Sequence, residues 1–166
     1  MGWLGLRDLV NLILCGRAVT NVFNNRMKLD EHTVLNGILA QSKIGFLTLF
    51  EWYKYVEVGS NYKCPKFPVW VICCESHFSC FFAESNGALA DQLPFSLQYY
   101  DGLAMQDEVI RLSVTRDVNG GHTAKAGESI GDRDKTAEGL TPPLEFVIET
   151  RWPGVKVDWN GADPIL

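Results

Sequence analysis

Between Trp3 and Cys15 the apolar residues Leu6, Leu9, Val10, Ile13 and Leu14 recur at helical spacing, and Gly16 follows as a stop. Apolar positions occupy much of that helix's circumference, so it is expected to be well buried. Leu35 to Gln41 reads as a second helical stretch. Ile44 to Val56 reads as a third, with Phe46, Leu49, Phe50 and Tyr53 on one face and Gly59 at its end. Pro65 and Pro68 then bracket an extended link, because proline disfavours the helical conformation of the residue before it.

Beyond Pro68 the pattern changes. Val69 to Ile72 is a continuous apolar run, rich in β-branched and aromatic residues, which suits a strand covered on both faces. His77 to Ala83, Ser96 to Asp101 and Val109 to Thr115 read as further strands. They follow one another too closely for helical crossovers, so an antiparallel sheet is expected. Pro142 and Pro143 suit the first turn of a short helix through Ile148, and Val155 to Trp159 alternates like an edge strand. The fold class expected is α+β, helices packed on an antiparallel sheet.

Between Arg116 and Pro142 the chain is glycine-rich and charged, with Ile130 and Leu140 its main large apolar residues. Such a stretch cannot bury enough surface to offset its ordering entropy, so residues 116–142 are expected to form a disordered insertion in a single domain.

Composition narrows the functional classes. Twenty acids against fifteen bases give a net charge of −5, which provides no basic field for a phosphate backbone and argues against nucleic acid as a partner. Leu9 to Cys15 is far shorter than the roughly 20 residues a membrane-spanning helix needs. The stretch also lacks the basic lead and cleavage site of a signal peptide. Five cysteines (Cys15, Cys64, Cys73, Cys74 and Cys80) form no CxxC pair. Neither a disulfide framework nor a zinc site is suggested, and no metal or cofactor is expected. They read as reduced thiols of a cytoplasmic or nuclear protein.

Of the three histidines, His32 lies in a polar turn and His122 among the glycines of the insertion. His77 opens a strand directly after a buried one. Alternation puts His77, Ser79 and Phe81 on one face and Phe78, Cys80 and Phe82 on the other, with the latter set expected to face the core. His77 would then stand at the sheet rim. An imidazole there can serve as a general base, and it can equally be a residue that merely ends a strand.

Several segments, in order, resemble the C-terminal part of the MINDY deubiquitinase catalytic domain. They are Leu14-Cys15-Gly16-Arg17-Ala18-Val19 with Asn21-Val22-Phe23, Ile44 to Glu51, Phe67-Pro68-Val69-Trp70-Val71, Glu75-Ser76-His77-Phe78-Ser79, Tyr99-Tyr100-Asp101-Gly102-Leu103 with Ile110-Arg111-Leu112, and Trp159 to Leu166. Together they span nearly the whole chain outside the insertion. The resemblance implies a papain-like thiol isopeptidase that removes ubiquitin from conjugates, with lysine-48-linked polyubiquitin as the family's preferred substrate. It also implies that His77, in the His-Phe-Ser motif, is the catalytic histidine. Asp101 is the candidate to orient that ring, although a glycine follows it and a turn-forming aspartate accounts for it equally.

The family's nucleophile sits in a Gly/Pro-Cys-Gly context at a helix start, and none of the five cysteines here has that context. Residues 1–166 are therefore expected to be a partial domain whose N-terminal catalytic half supplies the sulfur. The competing reading is a family member that binds ubiquitin or acts as a scaffold without cleaving it.

Overall fold

The computed structural model describes residues 4–104, 106–117 and 141–164; most of the predicted 116–142 insertion, with His122, lies outside them. Helix α1 (Leu4–Cys15) leads into a small antiparallel ribbon of β1 (Arg26–Lys28) and β2 (Val34–Asn36). After it come β3 (Gly45–Thr48), α2 (Leu49–Trp52) and α3 (Ser60–Lys63), then β4 (Val69–Cys74), β5 (His77–Phe82), β6 (Phe95–Tyr100) and β7 (Ile110–Arg116). Helix α4 (Pro143–Arg151) and β8 (Val155–Asp158) follow. The main sheet has the order β3-β4-β5-β6-β7-β8. From β4 to β8 every pairing is antiparallel, as the close spacing of the strands requires. The architecture is α+β, with Pro143 in the first turn of α4 and β8 on the sheet edge.

Of the predicted helices, the one over 44–56 is reduced to the single turn of α2 and the one over 35–41 is absent. Residues 45–48 form β3, which runs parallel to β4 and is buried throughout. Periodicity cannot distinguish a strand covered on both faces from a buried helix. Gly45 makes the difference, because a Cβ there would stand 2.2 Å from Trp70 Cδ1 and 2.5 Å from the Tyr62 carbonyl oxygen. The helical residues of this stretch are confined to α2, which Thr48 caps by accepting the Phe50 N–H on Oγ1. Residues 35–41 are likewise not helical. Val34–Asn36 pair as β2, and Gly37 packs so tightly against Phe23 that a Cβ would lie 2.2 Å from its carbonyl oxygen.

The sheet is covered on both sides. Leu144, Val147 and Ile148 of α4 pack on the face formed by Leu47, Trp70, Ile72, Phe81, Leu97, Tyr99, Leu112 and Val114. On the opposite face Phe46 and Cys73 join Val22, Ile38, Val58 and Tyr62, with Val10 and Leu14 of α1 half-buried against them. Helix α1 is not the well-buried element its composition suggests. Leu9, Leu12 and Ile13 are 52 %, 47 % and 73 % exposed, whereas the polar Asn11 is 0 % exposed. The Asn11 amide donates to the carbonyls of Val19 and Asn21 and its Oδ1 accepts the Tyr62 hydroxyl at 2.8 Å, so a polar pin holds this helix down.

Candidate active site

Strands β4 and β5 are joined by two residues, Glu75 and Ser76, with Glu75 in the left-handed region at φ +56°. So tight a connection pairs Cys74 directly with His77 and makes the histidine the first residue of β5. The next ladder pairs Cys80 with Tyr100 and Phe81 with Tyr99, bringing the end of β6 alongside His77. Asp101 is the residue immediately after that strand.

The expected facing of β5 is reversed. Phe81 is fully buried and Ser79 nearly so, while Phe78, Cys80 and Phe82 are only half-buried. His77 thus shares the face of the larger core. The cause is the ladder: Phe81 lies between Trp70 and Tyr99, both of which belong to the core that α4 covers. Because His77 is at the strand's first position, its ring still reaches the rim, and its side chain is 39 % exposed.

The structure brings His77 and Asp101 together. His77 Nε2 donates to Asp101 Oδ2 at 2.6 Å, and the Asp101 side chain is only 3 % exposed. The other carboxylate oxygen accepts the Leu103 N–H at 2.9 Å, so Asp101 also makes the turn that Gly102 suggests. The two readings of this aspartate are compatible, since one oxygen serves each. Burial pushes its carboxyl up, but the hydrogen bonds from Leu103 and His77, with the imidazole's charge, outweigh burial and leave it below the usual carboxylate value.

Gln106, which sequence reasoning did not single out, closes the turn from the far side. Its Oε1 accepts the Asp101 N–H at 2.6 Å, and its buried Nε2 has no partner among the described residues. A glutamine five residues past an aspartate carries no recognisable sequence signal.

With Nε2 committed to Asp101, His77 presents Nδ1 as its open nitrogen, and no hydrogen bond among the described residues occupies it. In this tautomer Nδ1 carries the lone pair, and it can take a proton and return it. The nearby sulfurs are poorly suited to partner it. Cys74, opposite His77, is pushed up to about 11 by burial, with Glu75 and the Cys73 thiol adding to the effect. Burial also raises Cys73, and burial together with Asp101 raises Cys80. An activated thiol requires the opposite shift.

The other candidates lie apart from this pair. His32 is exposed in a loop whose turn Asp30 makes by accepting the N–H groups of His32 and Thr33. Among the described residues no group of three or more His, Cys, Asp or Glu could hold a metal ion, and no helix is long and apolar enough to cross a membrane. An apolar cavity of about 260 Å³ under α1, lined by Val10, Phe46, Phe50, Cys73 and Phe78 among others, includes neither His77 nor Asp101.

Comparison with known proteins places the chain in a family. The conserved domain of the deubiquitinating enzymes MINDY-3/4 matches residues 5–161. The human protein named probable ubiquitin carboxyl-terminal hydrolase MINDY-4 is 47 % identical over 167 residues, covering 96 % of this chain and 20 % of the human protein. Its mouse counterpart is 48 % identical over the same share of this chain and 21 % of its own. Human ubiquitin carboxyl-terminal hydrolase MINDY-3 is 41 % identical over 90 residues, 54 % of this chain and 20 % of that protein. This chain therefore spans about a fifth of the length of these relatives. No solved structure matches. The chain belongs to the MINDY-3/4 deubiquitinase family.

Proposed function

We propose that this chain supplies the acid–base half of a cysteine-type deubiquitinase site, with His77 as the catalytic histidine and Asp101 as the residue that orients it. The observation that carries this reading is the 2.6 Å contact from a nearly buried carboxylate to one nitrogen of an accessible imidazole. Asp101 holds the Nε2–H tautomer, so Nδ1 can accept a proton from a thiol and stabilise the thiolate as an ion pair. The sulfur attacks the isopeptide carbonyl, the C–N bond breaks, and the Nδ1 proton passes to the departing lysine amine. Ubiquitin remains as a thioester until water, deprotonated by the same nitrogen, releases it.

In this reading the sulfur comes from an N-terminal catalytic half rather than from the five cysteines here. The raised thiols around His77 support that division. So does the exposed apolar side of α1, where Leu9, Leu12 and Ile13 offer a face for another segment. The substrate proposed is a ubiquitin conjugate, with lysine-48-linked chains preferred. The free thiols suit a reducing compartment, the cytoplasm or nucleus.

The test is cleavage of lysine-48-linked diubiquitin, and adduct formation with a ubiquitin probe bearing a C-terminal electrophile, by the full-length protein. His77→Ala should abolish both while leaving ubiquitin affinity near wild type, at a stability cost of about 1–2 kcal/mol from the hydrogen bond lost to Asp101. Undiminished cleavage by that variant would overturn the assignment. The same thiols also favour a second reading, a non-catalytic ubiquitin-binding module. That reading predicts ubiquitin binding by titration, with neither cleavage nor adduct in the wild-type protein.

A further inference from the structure

We infer that the cleft between the C-terminal end of α1 and the 37–43 loop is a docking site for an acidic peptide segment. The cleft measures about 490 Å³ and is lined by Leu14, Cys15, Ile38, Leu39 and Ala40, with Arg17, Lys43 and Lys66 also on its walls; among the described residues no Asp or Glu lines it. Among the described residues none of the three cations forms an ion pair. In a chain with more acids than bases, three unpaired cations around one concavity attract an anionic ligand and focus its approach.

Hydrogen bonds hold the chain that carries these residues in place. The Lys66 N–H donates to the Ser42 carbonyl at 2.9 Å and the Phe67 N–H to the Lys43 carbonyl at 3.1 Å, which sets the two lysines side by side. Ser42, itself buried, donates its hydroxyl to the Leu14 carbonyl and ties the loop to the end of α1. Gln41 Nε2 donates to the Cys64 carbonyl and braces the same loop from the other side. Gly16, at φ +74°, turns the chain out of α1 and leads directly into Arg17. These bonds fix the chain that forms the walls, so the ordering cost on binding falls mainly on the exposed side chains of Arg17, Lys43 and Lys66.

The shape and lining favour a peptide over a simple anion or a nucleic acid. The cleft is far larger than a single phosphate requires, and its apolar lining suits small or aliphatic side chains between carboxylates. Among the described residues no aromatic side chain lines it, so bases would have nothing to stack on. The cleft shares no residue with the His77–Asp101 pair, so this inference stands or falls independently of the proposed chemistry.

The experiment is fluorescence anisotropy of the full chain with a labelled peptide alternating Glu with Ala and Leu. Comparison ligands are the same peptide with Gln in place of Glu, a labelled single-stranded DNA of equal charge, and inorganic phosphate as competitor. The acidic peptide should bind, the Gln peptide should not, and added salt should weaken binding several-fold. Each exposed ion pair is worth roughly two- to threefold in affinity, so Lys43→Glu with Lys66→Glu, which reverses two charges, should weaken binding about tenfold. If circular dichroism finds that double variant unfolded, the Lys43→Gln, Lys66→Gln pair decides, with about fourfold weakening expected from the same increments. The inference is overturned by any of four results: no binding of the acidic peptide, equal binding of the Gln peptide, unchanged affinity in a folded variant, or displacement by DNA or phosphate at matched charge.

Discussion

Replacing Asp101 with Asn removes the charge from the candidate site while keeping its shape. In the native protein the carboxylate is nearly buried and accepts hydrogen bonds from His77 Nε2 at 2.6 Å and the Leu103 N–H at 2.9 Å. Hydrogen bonds to a charged group are worth about 1.5–3 kcal/mol each, and the desolvation of the carboxylate offsets part of that. The amide of the Asp101→Asn variant can still accept from Leu103 but places no charge opposite His77. The expected loss is about 1–2 kcal/mol at neutral pH.

The sign of the pH dependence follows from the lowered carboxyl. A group that is more acidic folded than unfolded contributes stability that is fully present above its unfolded value of about 3.9 and disappears as pH falls through the folded value. The stability gap between wild type and Asp101→Asn should therefore be constant from pH 7 down to about 5 and close below about 4. Urea denaturation across that range, with a common slope, measures it. The introduced amide can also donate to Nε2, which moves the imidazole proton to Nδ1 and removes the acceptor that a thiol needs. On the proposed chemistry, ubiquitin cleavage by the full-length protein should fall by two or more orders of magnitude, within the roughly 10⁴-fold seen when the histidine-orienting aspartate of serine proteases is amidated. A variant as stable as wild type at pH 7, with an unchanged acid profile and normal turnover, would refute the reasoning.

Two further outcomes are expected. Gly45→Ala should destabilise the protein by about 3 kcal/mol or more in thermal or chemical unfolding, because the added Cβ meets the buried Trp70 ring of the paired strand β4 at 2.2 Å and the Tyr62 backbone of α3 at 2.5 Å. Cys74 should react with iodoacetamide at pH 7 at least about tenfold more slowly than a free thiol, as judged by peptide mass spectrometry, and should catch up only as pH approaches 11; rapid labelling at neutral pH would instead make it a candidate nucleophile.

Local pattern carried the run of strands from β4 to β8, their antiparallel pairing, the proline start of α4 and the position of His77 at a strand opening. Those features depend on neighbouring residues and short connections, which a sequence displays directly. Asp101 was legible as a candidate from its place at the end of a neighbouring strand, with Gly102 speaking for a turn instead, but nothing along the chain could disclose that its carboxylate reaches His77, 24 positions away. The facing of β5 was misjudged for a related reason. Both sides of this sheet are covered, so Phe78 and Phe82 resemble core residues as much as Phe81 does, and the choice rests on partners in β4 and β6. Residues 45–48 form a strand because Gly45 lets β3 press against Trp70, a contact between segments that periodicity cannot register. Helix α1 was recognisable as a helix, yet its half-exposed state depends on which surfaces surround Asn11. Elements follow from spacing along the chain; facing, burial and the meeting of His77 with Asp101 follow from which distant segments share a ladder.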